Sequence, residues 1–388
     1  MKKAIGVFLM LVLVLGLCSC MPRVTESGFM QLGNWEWTAA RDFSDGMAAV
    51  KKDGKWGFIN TNGELVVDYS FADAGNFSEG LCAVQYNGKY GYIDRTGNVV
   101  VRNLYDVAYP FREGRAAVRK GNFYGFIDTT GKEITAIEYE DAGSYSCGLA
   151  AVKKDGLYGY LNADGTPVTD FIYHEGCAFS ENYAEFFGSG TNGKSGFLAT
   201  DGTVAIPAEY TDLLPFSEGL AAFREKVDDT TYLWGYLDTS GKRVIEPTYY
   251  RVYGFSCGLA RTELPVAAEK SKFGYIRSDG SVLVQQVYPY AYDFSENLAR
   301  VAKENEDGKT VWGFLNTFGR EAIALTYDSA RDFSGGYAAV QIGSRWGYIN
   351  TDGTLVLNAK WDKAGPFSDG CALVCSRGKY SYVKATGN

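Results

Sequence analysis

The sequence predicts an all-β protein of tandem β-hairpin, three-strand repeats. One motif recurs ten times at a near-constant period, rings and glycines are abundant while proline is scarce, and no stretch beyond the first twenty residues keeps a helical period. Among 388 residues there are 28 Tyr, 23 Phe, 7 Trp, 47 Gly and 9 Pro. Rings favour strands and glycine favours the turns between them. The expected architecture is an open, solenoid-like superhelical array. A large β-propeller is the alternative, ranked second because ten blades exceed the usual range of about four to eight.

The chain opens MKKAIGVFLMLVLVLGLCSC. Two lysines, an apolar run from Ala4 to Leu17 and small residues before a cysteine predict an export signal over residues 1–19. The apolar run is too short to span a bilayer. Leu17-Cys18-Ser19-Cys20 resembles a bacterial lipobox, which implies a lipid on Cys20 and a lipidated tether over residues 20–36. The expected location is the outer face of a bacterial membrane, with the anchor acyl and not transmembrane.

Residues 37–388 hold the ten repeats, each 34–39 residues long. Phe43–Gly63, FSDGMAAVKKDGKWGFINTNG, is the standard copy, and its opening aromatic recurs at Phe77, Phe111, Tyr145, Phe179, Phe216, Phe255, Phe294, Phe333 and Phe367. The pattern predicts a strand over 47–51, a tight turn at Asp53-Gly54, a strand over 55–59, a turn ending at Gly63 and a strand over 64–68. From the glycine of the Trp-Gly pair to the next opening aromatic the spacing is always 20 residues. All length variation therefore falls in the hairpin turns of copies five to eight, 188–193, 226–232, 264–271 and 303–310, where an exposed loop tolerates insertion. Only Gly or Asn stands three residues after the opening aromatic, as at Gly46 and Asn182, which predicts positive φ there. Two residues after it, Asp45, Glu79, Glu113, Glu181, Glu218, Glu296 and Asp369 are equivalent by repeat. That equivalence suits turn stabilisation better than a paired-carboxylate hydrolase.

The pattern F-S-[DE]-G-L-A-x-V, a turn, then [KR]-[WY]-G-[FY]-I-[DN]-x-x-G resembles the WG-repeat (KWG repeat) family of bacterial lipoproteins over residues 37–388. The resemblance implies a repeated all-β envelope protein without catalytic residues. Three departures stand out: Ser195 replaces the aromatic in copy five, Ser381 replaces the glycine in copy ten, and copy ten has no third strand after Gly387. Residues 28–37 are placed to supply that strand if the ring closes.

The slot before the repeat glycine holds Trp56, Tyr90, Tyr124, Tyr158, Trp234, Phe273, Trp312, Trp346 and Tyr380. Where exposed, such a row stacks on sugars or grips a peptide; where buried, it is the edge of a ring ladder. Residues 188–195 match the phosphate-loop pattern GxxxxGK[ST], but a strand and not a helix is expected to follow, so no nucleotide site is read there. His174, the single histidine, has no partner with metal-ligand spacing, and no metal or other cofactor is expected. Six cysteines remain after Cys20; they do not follow the period, so no disulfide framework is read, and Cys147–Cys177 is the one bridge to test. Net charge is −8, and loss of Lys2 and Lys3 with the signal takes it to −10, which argues against a nucleic-acid partner. The expected function is a surface-anchored, non-catalytic binding or scaffold module for a protein. The alternative is a cell-wall glycan-binding module that uses the exposed aromatics.

Overall fold

The computed structural model describes residues 27–187, 192–264 and 272–386. The expected signal, Cys20, the start of the tether, and parts of the turns at 188–193 and 264–271 lie outside the described residues. Each copy folds into its own antiparallel sheet, and the ten sheets form the blades of a ten-bladed β-propeller. Blade one sets the pattern: Ala39–Ala40, Met47–Lys52, Lys55–Asn60 and Leu65–Phe71 lie side by side in that order, from the channel outward. The blade therefore has four strands where the sequence predicts three. The innermost is two residues long in most blades, too short to show the two-residue alternation that betrays a strand.

Of the two expected architectures, the closed one forms and the open array does not. Phe29–Trp37 pairs antiparallel with Lys379–Ala385 and becomes the outer strand of blade ten, which supplies the strand that copy ten lacks. The interface between blades ten and one is then built from the same contacts as the interfaces within the chain, so closure leaves no exposed sheet face at either end.

Those contacts repeat around the ring. A ring in the third strand of each blade meets the opening aromatic of the next: Phe58 with Phe77 at 5.1 Å, Tyr92 with Phe111 at 4.8 Å, and finally Tyr382 with Phe43 at 4.8 Å. Edge-to-face pairs of this kind add about 0.5–1.5 kcal/mol each beyond the area they bury. The serine after the opening aromatic ties neighbours together as well. Ser44 Oγ donates to the Phe77 carbonyl at 2.7 Å, and Ser368 Oγ closes the circle onto the Phe43 carbonyl at 2.8 Å.

The Trp-Gly glycine is explained by a bulge. The third and outer strands pair Trp56 with Phe71 and Phe58 with Val67, so the outer strand carries two extra residues between those pairs. The bulge pushes its backbone inward, and a Cβ added at Gly57 would lie 2.6 Å from the Val67 carbonyl oxygen. In blade ten the bulge is one residue longer, between Leu32 and Trp37. The side chain of Ser381 fits there, buried, with Oγ donating to the Leu32 carbonyl at 2.7 Å.

Candidate ligand-binding sector

The repeated acids do more than hold their own turns. Each hairpin such as Ser44–Met47 has two successive residues at positive φ, Asp45 at 54° and Gly46 at 76°. Holding the acid in this strained region sends its carboxylate to the next blade. Asp45 accepts the Gly80 amide at 2.8 Å, Glu79 accepts the amides of Glu113 and Gly114 at 2.6 and 2.8 Å, and Asp369 accepts the Gly46 amide at 2.8 Å. All seven acids are thus consumed by staples between blades.

The aromatic slot falls in the clefts between neighbouring blades. Trp56 is buried, and Tyr90, Tyr124, Tyr158, Trp234, Phe273, Trp312, Trp346 and Tyr380 are half-buried. Most carry a cation over the ring: Arg41 stands 5.3 Å from the centroid of Trp56, Arg119 5.8 Å from Tyr124, Lys153 5.5 Å from Tyr158 and Arg331 5.4 Å from Trp346. No such cation lies over Tyr90 or Tyr380 among the described residues. Tyr90 lines a cleft of about 390 Å³ with Asn76, Gln85 and Asp106, and donates its hydroxyl to Asp73 at 2.8 Å. Burial and that carboxylate push the Tyr90 hydroxyl up to about 12. Tyr380 lines a smaller cleft of about 210 Å³ with Asp42, Arg331 and Lys363.

One sector departs from the period. Six residues after the opening aromatic, most copies have alanine, but blades seven and eight have Arg261 and Arg300. Each guanidinium points toward the next blade and stacks on the ring just past its own blade's inner strand, Arg261 on Tyr253 and Arg300 on Tyr292, both at 3.5 Å. Arg261 Nε lies 3.3 Å from Asp293 Oδ1, and Arg300 Nε lies 2.7 Å from Asp332 Oδ1. Asp293 and Asp332 precede their opening aromatics, as Asp42 does in copy one; the remaining copies carry Pro, Asn, Ser, Ala or Gly. Burial raises the Asp293 carboxyl above its ordinary value, with Arg261 opposing and Asp332 reinforcing the rise. Charged groups continue along the clefts: Arg331 and Asp42 line the same cleft against blade ten, and Arg41 pairs with Asp73 at 3.6 Å. The long hairpin turns of blades five to eight all connect the second strand to the third, so by topology they leave from one rim of the ring.

The other sequence candidates fall elsewhere. Residues 188–191 of the phosphate-loop match lie outside the described residues; Ser195–Ala199 is a strand, and Lys194 Nζ donates to Thr211 Oγ1 at 3.2 Å. Ser195 takes up the Glu185 carboxylate, which burial holds above its usual range. His174 is exposed, and its ring lies edge-on to Phe187 at 5.2 Å. Cys147 and Cys177 are free thiols, as are Cys82, Cys257, Cys371 and Cys375, so the bridge considered from the sequence does not form. No group of three or more His, Cys, Asp or Glu is arranged to hold a metal among the described residues.

Comparison with known sequences matches a WG containing repeat to ten segments: residues 36–56, 56–90, 90–122, 124–158, 158–186, 196–226, 234–264, 273–306, 312–346 and 346–380. No curated protein matches the sequence. Similar solved structures include a eukaryotic initiation factor, at 10% identity over 78% of this chain and 98% of that one with a TM-score of 0.35. Another is Hsv2p of Kluyveromyces lactis, at 10% identity over 72% of this chain and 96% of that one with a TM-score of 0.33.

Proposed function

The chain belongs to the WG-containing repeat family, and from that premise we propose that it is a non-catalytic binding or scaffold module, exported and held at a bacterial membrane surface through a lipid on Cys20. The observation that supports this reading is where the repeat is broken. Packing and staples account for the equivalent positions, whereas Arg261, Arg300, Asp293 and Asp332 gather on the channel side of consecutive blades in the sector with long turns. The two carboxylates are about half exposed, at 48% and 45%, and buried guanidinium groups hold them in place. Preorganised carboxylates of this kind suit a protein partner that presents basic side chains.

The test uses the mature chain carrying Cys20→Ser, immobilised and exposed to solubilised envelope proteins. Capture of a partner that the Asp293→Asn/Asp332→Asn variant no longer captures supports the reading; capture indifferent to that variant overturns the assigned sector. A wall-glycan module is the second reading, favoured by the clefts at Tyr90 and Tyr380, whose rings carry no covering cation. Saturable binding to purified wall sugars, abolished by Tyr90→Ala or Tyr380→Ala without loss of fold, would replace the protein-scaffold reading. Mass spectrometry of wild type against Cys20→Ser tests the anchor; an unmodified mature mass in the wild type removes it.

A further inference from the structure

Opposite the channel, at the outer edge of the closing blade, a pocket of about 550 Å³ lies between blades nine and ten. Its walls are Gln31, Trp35, Trp361, Ser376, Arg377 and Lys379. The volume falls in the range of small-ligand sites, about 300–1,000 Å³. We propose that this pocket binds a sugar ring bearing an anionic group, a carboxylate or a phosphate. The proposal is independent of the protein-binding sector and does not rest on it.

Three departures from the repeat converge on this pocket. Trp35 has φ of 57°, and it is the one tryptophan at positive φ among the described residues. A bulky side chain there is an outlier that the surrounding structure must hold in place. Trp35 stands in the bulge that is one residue longer than in the other blades, so the closing strand departs from the repeat where it forms this wall. Arg377 has φ of 50° in the tight turn between the second and third strands of blade ten. The equivalent residue is Asp53, Asn87, Gly121, Asp155 or Gly343 in other blades, all types that accept this conformation readily. Arginine is the costly choice for that turn, so the turn itself does not explain it.

The charge balance of the pocket is positive although the chain is acidic. Asp362 accepts the Arg377 amide at 2.6 Å and is paired with Arg345. Glu36, next to Trp35, is paired with Lys52. The guanidinium of Arg377 and the ammonium of Lys379 have no ion-pair partner among the described residues. Lys360 lies over the Trp361 ring, 5.0 Å from its centroid, and is not part of that balance. Trp361 is buried beneath the pocket, whereas the half-buried Trp35 ring offers a platform for the apolar face of a sugar, Gln31 and Ser376 offer hydrogen bonds to hydroxyls, and the guanidinium fork matches a carboxylate or phosphate.

The experiment titrates trigalacturonate, glucose 6-phosphate and neutral trigalactose into the mature Cys20→Ser chain, with tryptophan fluorescence and calorimetry as readouts. A saturable response to at least one anionic probe and none to trigalactose is expected. Arg377→Asn restores the residue type that blade two uses at Asn87. It is expected to weaken binding at least tenfold while leaving the melting temperature unchanged or higher, and Lys379→Gln is expected to weaken binding with the fold intact. A null response to both anionic probes, equal binding of trigalactose, or full affinity in Arg377→Asn overturns the proposal.

Discussion

Alanine at the Trp-Gly glycine tests whether the bulge, and not a ligand, demands that residue. At Gly235 an added Cβ would sit 2.3 Å from the Ile245 carbonyl oxygen and 2.9 Å from the Pro247 nitrogen. Ordinary contact needs more than 3 Å, so the outer strand must retreat by roughly 1 Å, and both obstacles are backbone. Overpacking of this kind costs about 1–3 kcal/mol. The reduced freedom of the unfolded chain returns about 0.4–1 kcal/mol. Gly235→Ala should therefore lose about 1–2 kcal/mol. Gly159 is the internal control, because its first obstacles are the Phe171 ring at 3.1 Å and the Asp170 carbonyl at 3.2 Å. The ring can pivot, so Gly159→Ala should be within about 0.5 kcal/mol of wild type. Urea titration of the two variants beside wild type gives the comparison. Equal losses at both sites would refute the steric account, as would a Gly235→Ala chain as stable as wild type.

Further tests follow from the staples, the buried acid and the thiols. Asp369→Ala removes the bond to the Gly46 amide and should cost about 1 kcal/mol. Because that staple closes the ring, hydrogen exchange should rise in Phe29–Trp37, whereas Asp45→Ala should raise it only near blades one and two. Glu185 has its carboxyl raised above 4.5 first by burial, so its contribution to stability is present below that value and is lost as pH rises through the folded value. Glu185→Gln should accordingly raise the melting temperature at pH 7, with the gain fading below about pH 4.5. Burial pushes the Cys177 thiol up to about 11, so it is protonated at neutral pH; alkylation followed by mass spectrometry should find it slow to react until the chain is unfolded.

The architecture was legible where a residue's role lies within its own copy. The positive φ at Gly46 and Asn182, the turn closed by the Gly63 amide on the Asn60 carbonyl at 2.9 Å, and the small slot at Ala48 all follow from local backbone needs. Roles that reach across blades were harder, because a period fixes positions without saying which copy supplies the partner. The acids therefore read as turn residues, although their carboxylates bond to the following blade. From the sequence the open array is expected over closure for the same reason: residues 28–37 are placed to supply the missing strand, but Phe29–Trp37 lacks the repeat's signature, and its pairing with Lys379–Ala385 is what establishes the closed ring. In blades three and four the outer edge shrinks to bridges such as Tyr124 with Tyr139, while Thr135 and Thr169 hydroxyls accept the amides of Phe126 and Tyr160.

A departure from the period is informative only after its compensation has been found. Ser381 breaks the most regular glycine position, yet the longer bulge and the bond to Leu32 absorb it, so the substitution is structural. Arg261 and Arg300 were visible in the sequence as breaks in a mostly alanine slot, but their meaning depended on the cleft between blades, which admits a long side chain, and on an aspartate in the next copy. Those arginines and aspartates compensate one another, yet about half of each carboxylate still faces solvent. Arg377 is compensated neither by its turn nor by a partner side chain among the described residues. Groups with exposed charge left over once their neighbours are satisfied are the ones a ligand can engage, and they lie at two separate places, the carboxylates of blades eight and nine and the outer edge of blade ten.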